Sequence, residues 1–221
     1  MLHKNKELWL ALISMLMIGG LYGLVTIWSR EIPAASGFFG HMVGVLGFVL
    51  MLMTELLYSM RKRSRTARWG KMSDWLEFHI YTGLVGPFMV LLHSSWKFNG
   101  LAGVVMLMTL VIVLSGFVGR YIYTAVPRSA EGVEVQAGEL EQAIRAMDAE
   151  VQRMAGEQGV GEGMEKLKKE RERLHQQAGR LARTRQMLAI WHTLHIPLGM
   201  ALFTAAFIHI GAAIYYATLL H

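Results

Sequence analysis

The chain of 221 residues is 53% hydrophobic and only 17% charged, with a formal net charge of +6. A water-soluble domain carries roughly a quarter charged residues, so this balance points to a membrane protein. Cysteine is absent, which excludes disulfides, thiolate-held iron–sulfur clusters, covalent CxxCH haem attachment and any cysteine nucleophile.

Apolar runs at 8–28, 37–60, 75–96, 100–123 and 187–217 each reach the ~20 residues that a bilayer crossing needs. The first is too long for the apolar core of a secretory signal and is read as an uncleaved span; cleavage after Ala34, Ala35 and Ser36 is the alternative. Trp28, Trp75, Trp96 and Trp191 fall near run ends, where an aromatic belt is expected. Pro87 and Pro197 each release a backbone carbonyl one turn earlier and are expected to kink their helices.

Arg61, Lys62, Arg63, Arg65, Arg68 and Lys71 follow the second run, whereas the loops on the opposite side carry only Arg30 and Lys97. The positive-inside rule then puts the N-terminus, this loop and the connection between runs four and five in the cytoplasm, and the C-terminus outside. The basic stretch is thus a topology signal with a use for anionic lipid, and the net charge calls for no nucleic-acid partner.

Residues 129–186 form the one sizeable extramembrane segment. Leu140, Ile144, Met147, Val151 and Met154 follow heptad spacing. Glycines at 156, 159, 161 and 163 then interrupt the pattern, and Met164, Leu167, Leu174 and Leu181 resume it. The spacing predicts a cytoplasmic helical hairpin, an antiparallel coiled coil whose return helix runs into the fifth span. It is read either as a solvated spacer or as a docking platform. The segment is too short for a nucleotide-binding α/β domain, so neither NAD nor flavin is expected here. The fold expected is an all-α integral membrane protein, an up-down bundle of five transmembrane helices. Helices one to four occupy 1–128, the hairpin 129–186, and the fifth helix 187–221, packed with 75–123.

The chemistry lies in the histidines. His41, His79, His93, His192, His195 and His209 sit in or at the edges of spans, where ionisable groups are costly and point to function. His79 and His93 are 14 residues apart, as are His195 and His209. Fourteen residues fall within about 40° of whole helical turns and rise about 21 Å, so each pair shares a face with one histidine towards each side of the membrane. Spans three and five run in the same direction, which puts His79 level with His195 and His93 level with His209. The stripe His79, Gly83, Gly86, Val90, His93 matches His195, Gly199, Leu202, Ala206, His209 step for step. Small residues between imidazoles suit a flat macrocycle between two helices, and a haem held by histidines alone needs no cysteine.

This double spacing resembles the membrane-embedded di-haem b-type cytochromes, the group of cytochrome b and the ferric-reductase-like transmembrane domains. The resemblance covers 75–123 and 187–217. It implies two b haems, a cytoplasm-side one on His79 and His195 and an outer one on His93 and His209, with Gly83, Gly86 and Gly199 packing against them. His192, one turn before His195, is the alternative ligand; His195 is preferred because it keeps the 14-residue spacing. Otherwise His192 lies near a propionate or a quinone headgroup. His41 is a candidate for a quinol pocket, with helix packing as its plainer role. Arg120 is a candidate partner for a propionate of the cytoplasm-side haem.

The function expected is that of a cytochrome b subunit in the bacterial cytoplasmic membrane. It would carry electrons between the quinone pool and a soluble or peripheral partner, a cytochrome c or an iron–sulfur protein, as the electron-transfer subunit of an oxidoreductase complex. A non-redox anchor or assembly subunit and a histidine-based metal or proton transporter are the alternatives; transport sites usually add intramembrane carboxylates, and the only acids near a span interior here are Glu55 and Glu77.

Overall fold

The computed structural model describes residues 5–63, 70, 72–126, 137–155 and 161–219. These form six helices and no strand: α1 (Lys6–Ser29), α2 (Phe38–Arg63), α3 (Met72–His93), α4 (Gly100–Thr124), α5 (Ala137–Ala155) and α6 (Gly161–Leu219). All but α5 are long and apolar enough to cross a membrane. Leu16, Ile27, Leu107 and Met200 lie on outward faces that are apolar and exposed. Water would not tolerate such faces, whereas lipid tails solvate them and the helices satisfy their own backbone. The protein is therefore an integral membrane protein. Arg65, Arg68, Lys71, Gly156 and Gly159, which carried part of the topology and hairpin expectations, lie outside the described residues.

The chain divides into two compact units, Met1–Gly116 with His195–His221, and Phe117–Leu194. In the first, Ala11 and Tyr22 of α1, Val43 of α2, and Val85, Met89 and Leu92 of α3 form one buried cluster. Hydrogen bonds inside the apolar layer pin the helices: Ser14 Oγ meets Tyr81 Oη at 3.0 Å. Thr54 Oγ1 donates to Thr82 Oγ1 at 2.7 Å, which donates in turn to Phe78 O at 2.9 Å. Such contacts hold transmembrane helices where hydrophobicity cannot, because lipid is as apolar as leucine. A second cluster joins Met51 of α2, Val105 of α4, and Leu202 and Ala206 of α6. Phe48 closes it, 6.2 Å from Phe203 and 5.4 Å from Phe207 between ring centroids.

The third span ends before Trp96. Ser95 and Trp96 take φ of 48° and 61°, a left-handed backbone that stops a right-handed helix. Ser95 Oγ donates to Pro33 O at 2.6 Å and so ties the 30–37 connection to the end of α3. Helices α3 and α6 continue through Pro87 and Pro197 respectively.

In the second unit, Leu140 of α5 and Leu181 of α6 are buried with Val126, and Ile144, Leu174, Ala178 and Leu188 pack around them. Farther along, Arg171 Nε donates to Asp148 Oδ1 at 2.5 Å. Residue numbers rise along α5 as they fall along α6, so the two helices are antiparallel. The contact rests on the apolar side chains, since this exposed ion pair contributes at most about 1 kcal/mol. Leu181→Ala is expected to cost about 2–5 kcal/mol. Hydrogen exchange on the full-length protein should show α5 amides exchanging at least about tenfold faster, with α1–α3 unchanged. Helix α6 is a single helix of 59 residues, Gly161–Leu219, so the part that packs on α5 continues without a break into the apolar fifth run.

Candidate functional site

Three of the four paired histidines are oriented through one ring nitrogen. His79 Nδ1 lies 3.1 Å from Thr54 O of α2, and His93 Nδ1 lies 2.8 Å from Gly40 O of α2. A carbonyl oxygen only accepts, so both Nδ1 atoms carry the proton and the lone pair of each ring is on Nε2. His195 Nδ1 lies 3.0 Å from Ser115 Oγ of α4, a hydroxyl that can accept the same proton. Nδ1–H on an oxygen, with Nε2 as the basic nitrogen, is how a histidine is set for an iron. His209 is half-buried on α6, three residues beyond the buried Ala206.

The middles of the two stripes share a core. Val90 of α3 packs against the cluster that contains Leu202 and Ala206 of α6, so the α3 and α6 histidine faces turn towards a common interior. The glycines do different work. A Cβ on Gly86 would stand 2.9 Å from Gly47 O and from Met51 Cγ, which puts Gly86 at the close crossing of α2 and α3. Cβ atoms on Gly83 and Gly199 would meet only ordinary contacts: Thr54 Cγ2 at 3.5 Å, and Glu55 Oε2 at 3.9 Å with Ile112 Cδ1 at 4.0 Å. Gly199 thus lies under the intramembrane carboxylate of Glu55.

His41 is exposed on α2 and sits edge-on to His93, with ring centroids 6.2 Å apart. His192 and Arg120 are half-buried within the second unit, where the His192 ring lies 4.8 Å from that of Trp191. Among the described residues, no three histidine, aspartate or glutamate side chains gather as a cage for a bare metal ion.

Sequence reasoning passed over the groups that hold the histidines. A Cβ on Gly44 would come within 2.6 Å of His93 Cγ and Nδ1, so His93 needs a bare backbone opposite it. Gly40, Gly44 and Gly47 repeat at steps of 4 and 3, the same steps as the histidine stripes, and that spacing was the available signal. For Thr54 and Ser115 there was none, because which oxygen meets a ring depends on how the helices cross.

The donor set fits an iron held between imidazoles: histidines spaced along apolar helices beside small residues, with His79 and His93 carrying the proton on Nδ1. The family model described as prokaryotic cytochrome b561 matches residues 8–221. No functionally curated protein matches the chain, and no solved structure does.

Proposed function

This chain belongs to the prokaryotic cytochrome b561 family and is a membrane b-type cytochrome that transfers electrons across the bilayer; from that premise we propose that it does so with two haems, each held by a histidine of α3 and one of α6. His79 and His195 hold the cytoplasm-side haem, and His93 and His209 hold the outer one. The observation that supports this reading is the Nδ1 hydrogen bonding of His79 and His93 to main-chain carbonyls, which puts the basic nitrogen of each ring at Nε2; His195 Nδ1 lies beside Ser115 Oγ. Bound haem supplies one-electron chemistry, its iron cycling between ferric and ferrous. The chain's residues do the rest. Thr54 and Gly40 carbonyls fix the planes of His79 and His93, and the shared core of Met51, Val90, Leu202 and Ala206 keeps water from the space between the two levels. Gly83 and Gly199 are the small residues beside the first pair, where an added Cβ would meet only ordinary contacts.

The outer His41, beside His93, is the group we assign to quinol or quinone. The basic residues after α2 set the N-terminus in the cytoplasm and the C-terminus outside. The antiparallel pair of α5 and α6 is then a cytoplasmic coiled-coil hairpin, and its charged exterior suits a peripheral subunit of a redox complex. Replacing 136–180 with a short flexible linker should leave the haem spectrum intact and weaken electron exchange with the cytoplasmic partner.

Transmembrane transfer is tested in sealed vesicles with ferricyanide inside, a membrane-impermeant reductant outside and an ionophore to dissipate the charge. Ferricyanide should be reduced by vesicles carrying the protein and not by empty ones; equal rates would refute transfer through the chain. His192→Ala should keep both haems, which the reduced-minus-oxidised spectrum measures. Loss of a haem there, with retention in His195→Ala, would exchange the two ligand assignments.

A further inference from the structure

The two histidines assigned to the cytoplasm-side haem are held by oxygens of different kinds. His79 gives its Nδ1 proton to the Thr54 carbonyl, a main-chain group that no substitution removes. His195 Nδ1 meets Ser115 Oγ at 3.0 Å, a side chain from a third helix, α4. We propose that Ser115 is a positioning residue for the cytoplasm-side haem: by accepting the Nδ1 proton of His195 it fixes the plane of that imidazole and lowers the potential of this haem alone.

The proposal rests on the reading of His195 as an axial ligand. An acceptor on Nδ1–H draws the proton away from the ring and makes Nε2 more basic. A more basic ligand stabilises ferric over ferrous iron, so a haem so held is harder to reduce. The neighbourhood favours a strong bond. Ser115 and His195 lie in the apolar layer, where a hydrogen bond is worth more than it is in water. Ile112, one turn earlier on α4, faces Gly199, one turn after His195, so α4 meets the ligand face of α6 over more than one turn. With Ser115 on one ligand and a backbone carbonyl on the other, the Nδ1 acceptor of His195 is the one that a substitution removes.

The test is a redox titration of the purified protein with Ser115→Ala and Ser115→Thr, monitored by optical difference spectra and by electron paramagnetic resonance of the ferric state. Ser115→Ala should raise one of the two midpoint potentials, leave the other in place, and change the ferric signal of the shifted haem. Ser115→Thr, which restores a hydroxyl, should return both values towards those of the unmodified protein. Loss of the one haem in Ser115→Ala, with retention in Ser115→Thr, would support the same role. Two unchanged potentials with both haems present would overturn it, as would equal shifts of both haems or loss of haem in both variants. His195→Ala is measured alongside: if that variant keeps both haems, the ligand reading has failed, whereas loss of one haem in His195→Ala with an inert Ser115→Ala defeats only the role of the serine.

Discussion

Alanine at His79 or His195 is expected to remove one haem from the protein and leave the other, and alanine at His93 or His209 to remove the complementary one. The two losses differ in kind, because the pairs stand at different depths: fourteen residues of helix separate them by about 21 Å. An axial imidazole cannot be replaced by a neighbouring carbonyl or hydroxyl, so a ligand variant should lose about half of its b-type absorbance. Optical redox titration identifies the survivor. His79→Ala and His195→Ala should leave a haem of the same potential, and His93→Ala and His209→Ala should leave the other. If His79→Ala and His195→Ala left haems of different potentials, the pairing across α3 and α6 would be wrong even with the ligands correct.

Gly44→Ala is expected to cost the outer haem while sparing the cytoplasm-side one. The new methyl would stand within 2.6 Å of the His93 ring, which is anchored by Nδ1 to Gly40 O only one helical turn away. Either the ring turns and loses that bond, or α2 and α3 separate; overpacking of this kind costs about 1–3 kcal/mol. Gly20→Ala, at a position with nothing within 4 Å, is the control and should change neither haem. Spectral quantitation of both variants checks this. A Gly44→Ala protein with unaltered haem content and potentials would show that His93 takes another orientation when the haem is bound.

Hydropathy reveals the spans because each must satisfy its backbone internally and meet lipid with apolar side chains, and both demands are written locally. Periodicity also fixes which residues share a side of one helix, and Val90, Leu202 and Ala206 meet in one core. The seam at Leu140, Ile144, Leu174 and Leu181 was readable on the same ground. What periodicity cannot give is the partner helix. Gly86 reads like a gap for a macrocycle, yet its backbone is spent on Gly47 of α2. Nothing in the sequence marks the Thr54 carbonyl; it meets His79 because α2 crosses α3 there. Ser115 reaches His195 from α4, a contact that depends on how α4 and α6 cross. Trp96 looks like the end of a span, but the left-handed backbone at Ser95 and Trp96 places it beyond α3.

The most direct measurement is the haem content per chain of the purified protein, by pyridine haemochrome against protein quantified by amino-acid analysis. Two matched histidine pairs predict two b haems for each chain. A ratio of one in fully loaded protein, or a full ratio of two that survives alanine at all four of His79, His93, His195 and His209, would contradict it.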